Sequence, residues 1–220
     1  GTEDAHGKNI AIGDLALAAQ DAGADAYNVA IGHNAGLSVT TGIQNTLLGG
    51  LAGASLTTGG KNVAVGMQAL QSEDENGSNV AIGYQTLLNQ NAGAEAYNVA
   101  VGYQAGFAVT TGVSNNLIGG LAGDALTEGN NNIAIGYRAL GAEDEHGNNV
   151  AIGTNALQSQ NAGANAYNVA IGHNAGLSVS TGISNTLIGG LAGDALTTGS
   201  NNIAIGYLAL STENAHGNNI

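Results

Sequence analysis

The sequence predicts an all-β protein, a parallel β-solenoid of about twelve coils. Three observations lead to this fold class: the chain repeats itself with a 70-residue period, each period contains four shorter units, and each unit opens with an asparagine followed by alternating aliphatic residues and a glycine. A period of two with a glycine every few positions is typical of short strands and excludes an amphipathic helix. Fixed repeats of this kind are the signature of a solenoid.

The repeat runs through the whole chain without slippage. The pentapeptide NIAIG that begins at Asn9 returns as NVAIG at Asn79 and Asn149, and the shorter units follow one another with the spacing 19, 17, 17, 17, three times over. The units open at Asn9, Asn28, Asn45, Asn62, Asn79, Asn98, Asn115, Asn132, Asn149, Asn168, Asn185 and Asn202. The predicted organisation is a partial coil at residues 1–8, superrepeats at 9–78, 79–148 and 149–218, and the start of a further coil at 219–220. Because solenoids need polar caps and neither end shows one, we expect a segment of a longer fibre.

One coil, residues 28–44, illustrates the expected local structure; its positions are counted from the opening asparagine. Val29 and Ile31 flank Ala30 with the alternation of a strand, and residues 37–40 (LSVT) alternate again, which predicts a second short strand. Positions two and four are expected to point into the coil and position three outward. Such a coil cannot bury its apolar side alone, so stability must come from coils stacked about 4.8 Å apart.

Four positions of the coil have predicted structural roles. The opening asparagines are expected to form a ladder of side-chain amides along the rod. The glycine at position five, such as Gly13 and Gly32, is expected to have a positive φ or a close backbone neighbour. Position three is alanine or leucine and position eight is alanine except at Thr86, so these columns, if outward, favour chains packed side by side in a symmetric trimer.

Composition and charge exclude several functional classes. The formal net charge is −13, with three basic residues, so no basic surface exists for nucleic acid and an anionic membrane would repel this segment. No apolar run approaches the length of a membrane span. Cysteine is absent, and His33 and His173 share a turn position at which the middle superrepeat has Tyr103. Because a catalytic base would not alternate with tyrosine between copies, we expect surface turns rather than an enzyme.

The repeat unit resembles a known family. Residues 168–172 (NVAIG) and 197–199 (TTG) are similar to the head repeats of YadA-like trimeric autotransporter adhesins, and residues 181–193 (TGISNTLIGGLAG) are similar to repeats of phage and bacterial tail fibres. The resemblance covers the chain from residue 9 and implies a left-handed β-roll, three chains per fibre, and adhesion at a cell or virion surface outside the cell. The units here are longer than those of the family heads, and no stalk or anchor motif is present.

Acidic turns recur once per superrepeat and suggest calcium as the only cofactor to consider. Clustered carboxylates and asparagine oxygens could supply the six to eight ligands of Ca²⁺, but the spacing of known calcium loops is absent. The alternative is a solvated acidic ridge that opposes sideways aggregation. The carboxylates are Glu73, Asp74, Glu75, Glu143, Asp144 and Glu145.

Contact with an outside partner is expected at a few exposed aromatics and loops. Tyr27, Tyr97 and Tyr167 close the three longer coils and are candidate contacts for a host receptor or a glycan. The same coils carry an extra loop, residues 91–96 in the second superrepeat. The predicted function is a structural and adhesive fibre segment. The alternatives are a phage tail-fibre segment, an ice-binding solenoid, because threonine pairs such as Thr40–Thr41 recur, or a calcium-binding solenoid, because of the acidic turns.

Overall fold

The chain folds into a single parallel sheet wound as a solenoid. The computed structural model describes residues 7–143 and 145–220. In these residues, twelve short strands lie in chain order, so each step to the next strand is one turn of the solenoid. The strands are β1 (Ile10–Ile12), β2 (Val29–Ile31), β3 (Thr46–Leu48), β4 (Val63–Val65), β5 (Val80–Ile82), β6 (Val99–Val101), β7 (Asn116–Ile118), β8 (Ile133–Ile135), β9 (Val150–Ile152), β10 (Val169–Ile171), β11 (Thr186–Ile188) and β12 (Ile203–Ile205). The predicted all-β parallel β-solenoid is confirmed.

The register repeats without error along the rod. Ala30 of β2 pairs with Leu47 of β3, and Leu47 pairs with Ala64 of β4, so position three always meets position three. Twelve strands at about 4.8 Å make the sheet roughly 50 Å long. Units that open with Asn28 and Asn45 therefore occupy equivalent places one turn apart, as the repeat predicts.

Each coil contains one strand in its described residues, so the predicted second strand is wrong. Residues 33–38 are consecutive turns, in which Asn34 and Gly36 have left-handed backbone angles of φ 57° and 59°. The Ala35 N–H donates to the Gly32 carbonyl, a short-range bond that a strand does not make. The Gly36 N–H still donates to Ala52 in the next coil, so this side also contributes hydrogen bonds between coils. Alternation of apolar residues reflects alternating turn geometry here rather than extended backbone.

The strands face the opposite way from the prediction. Ala30 and Leu47, at position three, are fully buried, and position eight is also inside, including Thr86. Ile31, at position four, is 39% exposed. The prediction that positions two and four point inward is wrong because the interior of these coils is narrow: alanine fits there, whereas a β-branched side chain at every level does not. Position three therefore cannot supply an outward column.

Glycines make room where coils approach most closely. Gly49, at position five, has φ +135°, and a Cβ there would lie 2.5 Å from the Gly66 carbonyl oxygen of the next coil. The prediction for this position is confirmed in both respects. Gly36 serves the core instead, because a Cβ there would lie 2.7 Å from a methyl carbon of Leu47. Leucine at position three thus depends on a glycine in the neighbouring coil.

Candidate functional site

The outward side of the sheet is an uninterrupted strip of mostly aliphatic side chains, which we call the outer strip. Position four is isoleucine, leucine or valine in every coil, and position two is polar only at Thr46, Asn116 and Thr186. The strip consists of Ile10, Ile12, Val29, Ile31, Thr46, Leu48, Val63, Val65, Val80, Ile82, Val99, Val101, Asn116, Ile118, Ile133, Ile135, Val150, Ile152, Val169, Ile171, Thr186, Ile188, Ile203 and Ile205.

Stacking brings these side chains together in a way that suits association. Parallel, in-register strands place the members of each column about 4.8 Å apart, so the strip is roughly 50 Å long and about 10 Å wide. Its area is therefore on the order of 500 Å², near the upper limit of the apolar patches found on ordinary monomers. Its members are half-buried or exposed; Ile82 and Ile118, for example, are 38% and 39% exposed. Apolar patches of this size on monomeric proteins are often functional.

The opening asparagines lie directly above one another inside the rod. The Oδ1 atom of Asn28 accepts a hydrogen bond of 2.8 Å from the backbone N–H of Asn45, and Asn45 does the same for Asn62 at 3.0 Å. Most Nδ2 groups point along their own coil; that of Asn45 donates to the Gly59 carbonyl at 2.9 Å. Two differ: that of Asn79 donates to Glu73 Oε2 at 3.5 Å, and that of Asn149 has no partner among the described residues. The contact that repeats along the ladder is therefore side chain to backbone. The Oδ1 bond ties each strand start to the next coil, and in most coils the Nδ2 bond also ties it to the closing turn of its own coil.

A second inward column, at position twelve, varies in step with the superrepeat. Gln20, Gln90 and Gln160 occupy it in the longer coils, and valine, leucine and glutamate occupy it in the three coils that follow. The Gln20 side chain is buried and bridges two coils, because its Nε2 donates to the Thr40 carbonyl at 2.8 Å and its Oε1 accepts from Asn28 at 2.7 Å. The column is thus part apolar core and part polar network.

The glutamates of this column are ionisable groups inside the solenoid. Glu73 is fully buried, and burial raises its pKa from 4.5 to about 7 although the backbone N–H groups of Asn76 and Asp74 act in the opposite direction. Glu143 is also fully buried, and its Oε1 accepts from the His146 N–H at 3.2 Å. Glu213, in the last coil, is 23% exposed, and hydrogen bonds from His216 lower its pKa to about 2.

The acidic turns therefore do not form a simple solvated ridge. Glu73 and Glu143 point inward, Asp74 is half-buried, and only Glu75 and Glu145 are exposed among the described members. Asp144 and the earlier copy at residues 3–6 lie outside the described residues. Among the residues that are described, no three His, Asp or Glu side chains are grouped as a metal site would require. Calcium binding stays a prediction.

The tyrosines predicted as contacts lie on the surface but far apart along the rod. Tyr27, Tyr97 and Tyr167 are 53%, 61% and 59% exposed, and each has a left-handed backbone just before an opening asparagine. The Tyr27 hydroxyl accepts from Lys8 Nζ at 3.2 Å. The extra loop beside Tyr97 is exposed at residues 93–95, and nothing lies within 4 Å of a Cβ built on Gly93. The loops are thus the projecting features of the longer coils.

Sequence reasoning missed the position-twelve column. The signal was available: glutamine recurs at residues 20, 90 and 160, and glutamate stands at the same distance before the opening asparagines Asn79 and Asn149. Both the glutamines and the glutamates recur at the 70-residue period of the superrepeat. An exposed residue has no physical reason to keep this period. Composition alone, however, assigns glutamate to the surface.

Comparison with protein-family models, curated proteins and solved structures gives no match to this chain. The features that bear on function are therefore those of the molecule itself: the outer strip, the buried asparagine ladder and the exposed tyrosines. In the part of the chain that the structure describes, no helix has the length and apolarity needed to cross a bilayer.

Proposed function

We propose that this chain is a structural and adhesive segment of a long extracellular fibre in which three copies pack side by side. The observation that carries the proposal is the outer strip. A monomer would leave the aliphatic side chains of all twelve strands in contact with water, although residues elsewhere on the coil surface are mostly polar or small. Packing of the strips against one another removes them from water.

The energetics of the strip favour self-association. Burying about 500 Å² of apolar surface is worth on the order of 12 kcal/mol per chain. Association costs about 4–15 kcal/mol in lost translational and rotational freedom, so the strip supplies a gain of the required size. Stable interfaces bury about 800 Å² per partner, which means that the residues bordering the strip must also contribute. Parallel in-register packing would let every added superrepeat lengthen the same interface.

The interior of the rod suits a mechanical role. Each coil is tied to its predecessor by an asparagine Oδ1, as Asn45 is to Asn28, and the turns add further bonds between coils, such as Thr40 N–H to the Thr57 carbonyl at 2.9 Å. Because the asparagine bonds recur at every level and most of them are buried, no coil can leave the stack without exposing unpaired polar groups. A stiff spacer with many identical surface positions is what a fibre shaft requires.

The number of chains and the location rest on the family resemblance. The NVAIG and TTG motifs resemble those of trimeric surface adhesins, which supports three copies and a place on the cell surface. A phage tail-fibre shaft is the alternative, because the same rod could extend from a virion. In either setting, the exposed tyrosines and loops would meet a receptor or glycan.

The proposal is tested by measuring the mass of the particle in solution. Sedimentation equilibrium of the wild type is expected to give three times the 21.5 kDa of the chain. The double variant I82E/V101E places two charges in the middle of the outer strip, where both side chains are solvent-accessible in the monomer, and is expected to sediment as a folded monomer. The control A94E adds a charge to the exposed loop and should leave the mass unchanged. A monomeric wild type would refute the proposal.

A further inference from the structure

The second superrepeat carries a cavity at its last coil, which we call the notch. It has a volume of about 440 Å³ and is lined by Asp124, Arg138, Gly141, Ala142, Gln158 and Ser159. It lies where the coil lacks side chains: a Cβ at Gly141 would lie 3.6 Å from Asp124 Oδ1 and 3.8 Å from Gln158 Cγ. Gly141 and Ala142 therefore leave open the space between two polar walls.

The same position is filled in the first superrepeat. Gln71 and Ser72 stand at the equivalents of Gly141 and Ala142, and Gln68 stands at the equivalent of Arg138. The Gln68 Nε2 donates to Gln71 Oε1 at 2.8 Å, so these side chains close the surface over one another. The second superrepeat thus differs from the first at the notch. Two polar side chains are replaced by glycine and alanine, and a glutamine is replaced by the single arginine of the sequence.

The notch contains an acidic and a basic side chain that do not form an ion pair with each other. Burial raises the pKa of the Asp124 carboxyl, and the positive charge of Arg138 acts in the opposite direction, so the two groups are near neighbours. No ion pair joins them among the described residues. The carboxylate can therefore accept, and the guanidinium can donate, hydrogen bonds across the cavity. Gln158 and Ser159 add groups that both donate and accept.

An aromatic surface adjoins the notch. The Arg138 guanidinium lies 5.4 Å from the centre of the Tyr137 ring, and a Cβ at Gly120 would lie 3.6 Å from Tyr137 Cδ2, so this ring rests over the glycine of the preceding coil. The other two tyrosines at position six of this superrepeat, Tyr103 and Tyr84, stack with ring centres 5.6 Å apart. Position six is tyrosine in three of the four coils here, but only at Tyr207 in the first and third superrepeats together.

We propose that the notch and the adjoining tyrosines bind a neutral oligosaccharide. A sugar ring offers hydroxyls that donate to a carboxylate and accept from a guanidinium, and its apolar face packs on an aromatic ring. One acid and one base give the notch no net charge, which suits a neutral ligand, and the overall charge of −13 repels acidic glycans. The inference deepens the adhesive part of the proposed function, on which it rests, by naming a ligand class and a place.

The repeat itself supplies the test variant. The triple substitution R138Q/G141Q/A142S gives three of the six lining positions of the notch the residues of the first superrepeat, where the fold already accommodates them. The matched control L208Q/S211Q/T212S makes the same three residues at the equivalent place in the third superrepeat, away from the notch. Both variants and the wild type are applied to an array of immobilised neutral, sialylated and sulfated oligosaccharides, and the affinity of the strongest neutral ligand is then measured by titration calorimetry.

The wild type and the control are expected to bind a neutral oligosaccharide, and the filled variant to bind it about tenfold or more weakly. Unchanged affinity in the filled variant, binding of acidic glycans only, or no array binding by the wild type would each overturn the inference. Sedimentation of the same samples separates this result from the proposed function. A wild type that forms trimers but binds no sugar refutes only sugar binding at the notch. A wild type that is a monomer but binds sugar refutes only the trimeric fibre.

Discussion

The third and fourth coils of the first superrepeat, residues 45–61 and 62–78, fill one structural position with opposite chemistry. Position twelve is Leu56 in the third coil and Glu73 in the fourth, and both side chains are fully buried. The difference lies in the turns that follow. The Thr57 and Gly59 N–H groups both donate to the Asp74 carbonyl of the next coil, at 2.6 and 3.3 Å.

In the fourth coils, the turn is held by its own glutamate instead. The N–H groups of Asn214 and His216 donate to Glu213 Oε1 at 3.0 and 3.1 Å, and in the first superrepeat the Asn76 N–H faces Glu73 in the same way. The coil that follows Glu73 is a longer one. Its extra loop, residues 91–96, begins directly after position twelve, where the shorter coils have their closing turn. The comparison indicates that the residue at position twelve depends on whether the N–H groups of the following turn already have hydrogen-bond partners, and not on hydrophobicity alone.

The largest loss of stability is expected when glutamate, the position-twelve residue of the fourth coil, is placed at the same position of the third coil. L56E buries a carboxylate beside N–H groups that already donate to Asp74, so these turn N–H groups are not available to stabilise the charge. We expect a loss of about 3–5 kcal/mol in the free energy of unfolding at pH 8. Urea titration followed by circular dichroism measures it, with L56M as the volume-matched control, expected to cost less than about 1.5 kcal/mol. Equal stability of the two variants would contradict the comparison.

The asparagine ladder should also distinguish the two coils. N45A leaves the Asn62 N–H and the Gly59 carbonyl without partners and should cost about 2–4 kcal/mol. N62A should cost less, because the bond from Asn62 Nδ2 to the Asn76 carbonyl is 3.4 Å long and only partly buried. Thermal unfolding midpoints of the two variants give the order. If N62A were the more harmful, bond length and burial would be the wrong explanation.

The smallest expected effect is a pH dependence that belongs to Glu73. Its folded pKa is raised from 4.5 to about 7 by burial and by the nearby carboxylates of Asp74 and Glu95. Its contribution to stability is therefore complete below about pH 4.5 and is lost as the pH rises through 7. Between pH 5 and pH 8, the free energy of unfolding of the wild type should fall by about 2 kcal/mol relative to that of E73Q.

The measurement for Glu73 is the difference between wild type and E73Q in urea unfolding at pH 5 and pH 8. Subtracting the two proteins removes the contribution of the groups that both contain, such as Glu213. The exposed Glu75 supplies the control, since E75Q should follow the wild type at both pH values. A difference between wild type and E73Q that does not change with pH would show that Glu73 is not the titrating group.

Much of the architecture could be predicted because it depends on spacing. The coil lengths place Asn28 beneath Asn45 in any stacked arrangement, and the glycine after each strand indicates a corner where backbones touch. The predicted second strand is wrong because the pattern at residues 37–40 arises equally from turns with left-handed residues such as Gly36. Hydrophobic alternation reports which side chains share a side, but not the backbone angles that place them there.

The candidate site was less predictable, for a related reason. All three residues of a strand such as Val29–Ile31 are apolar, so the pattern cannot say which face is inside. The columns expected at the interface are therefore inside the rod, and the interface that we propose is the outer strip instead. The notch could not be seen for another reason: Asp124 and Gln158 belong to different coils with a third coil between them, and only the stacking of the three brings these side chains to one cavity.

The sequence by itself determined the number of coils, their parallel stacking and the positions that must repeat, because a regular spacing of a fixed asparagine and a fixed glycine leaves no other way to pair the backbone. Only the tertiary structure decided which face of the strand is inside, which acids are buried and where polar groups converge. Those outcomes depend on the width of the coil interior and on the neighbours above and below, since residues such as Leu56 and Glu73 acquire the same burial only once the next coil has covered them.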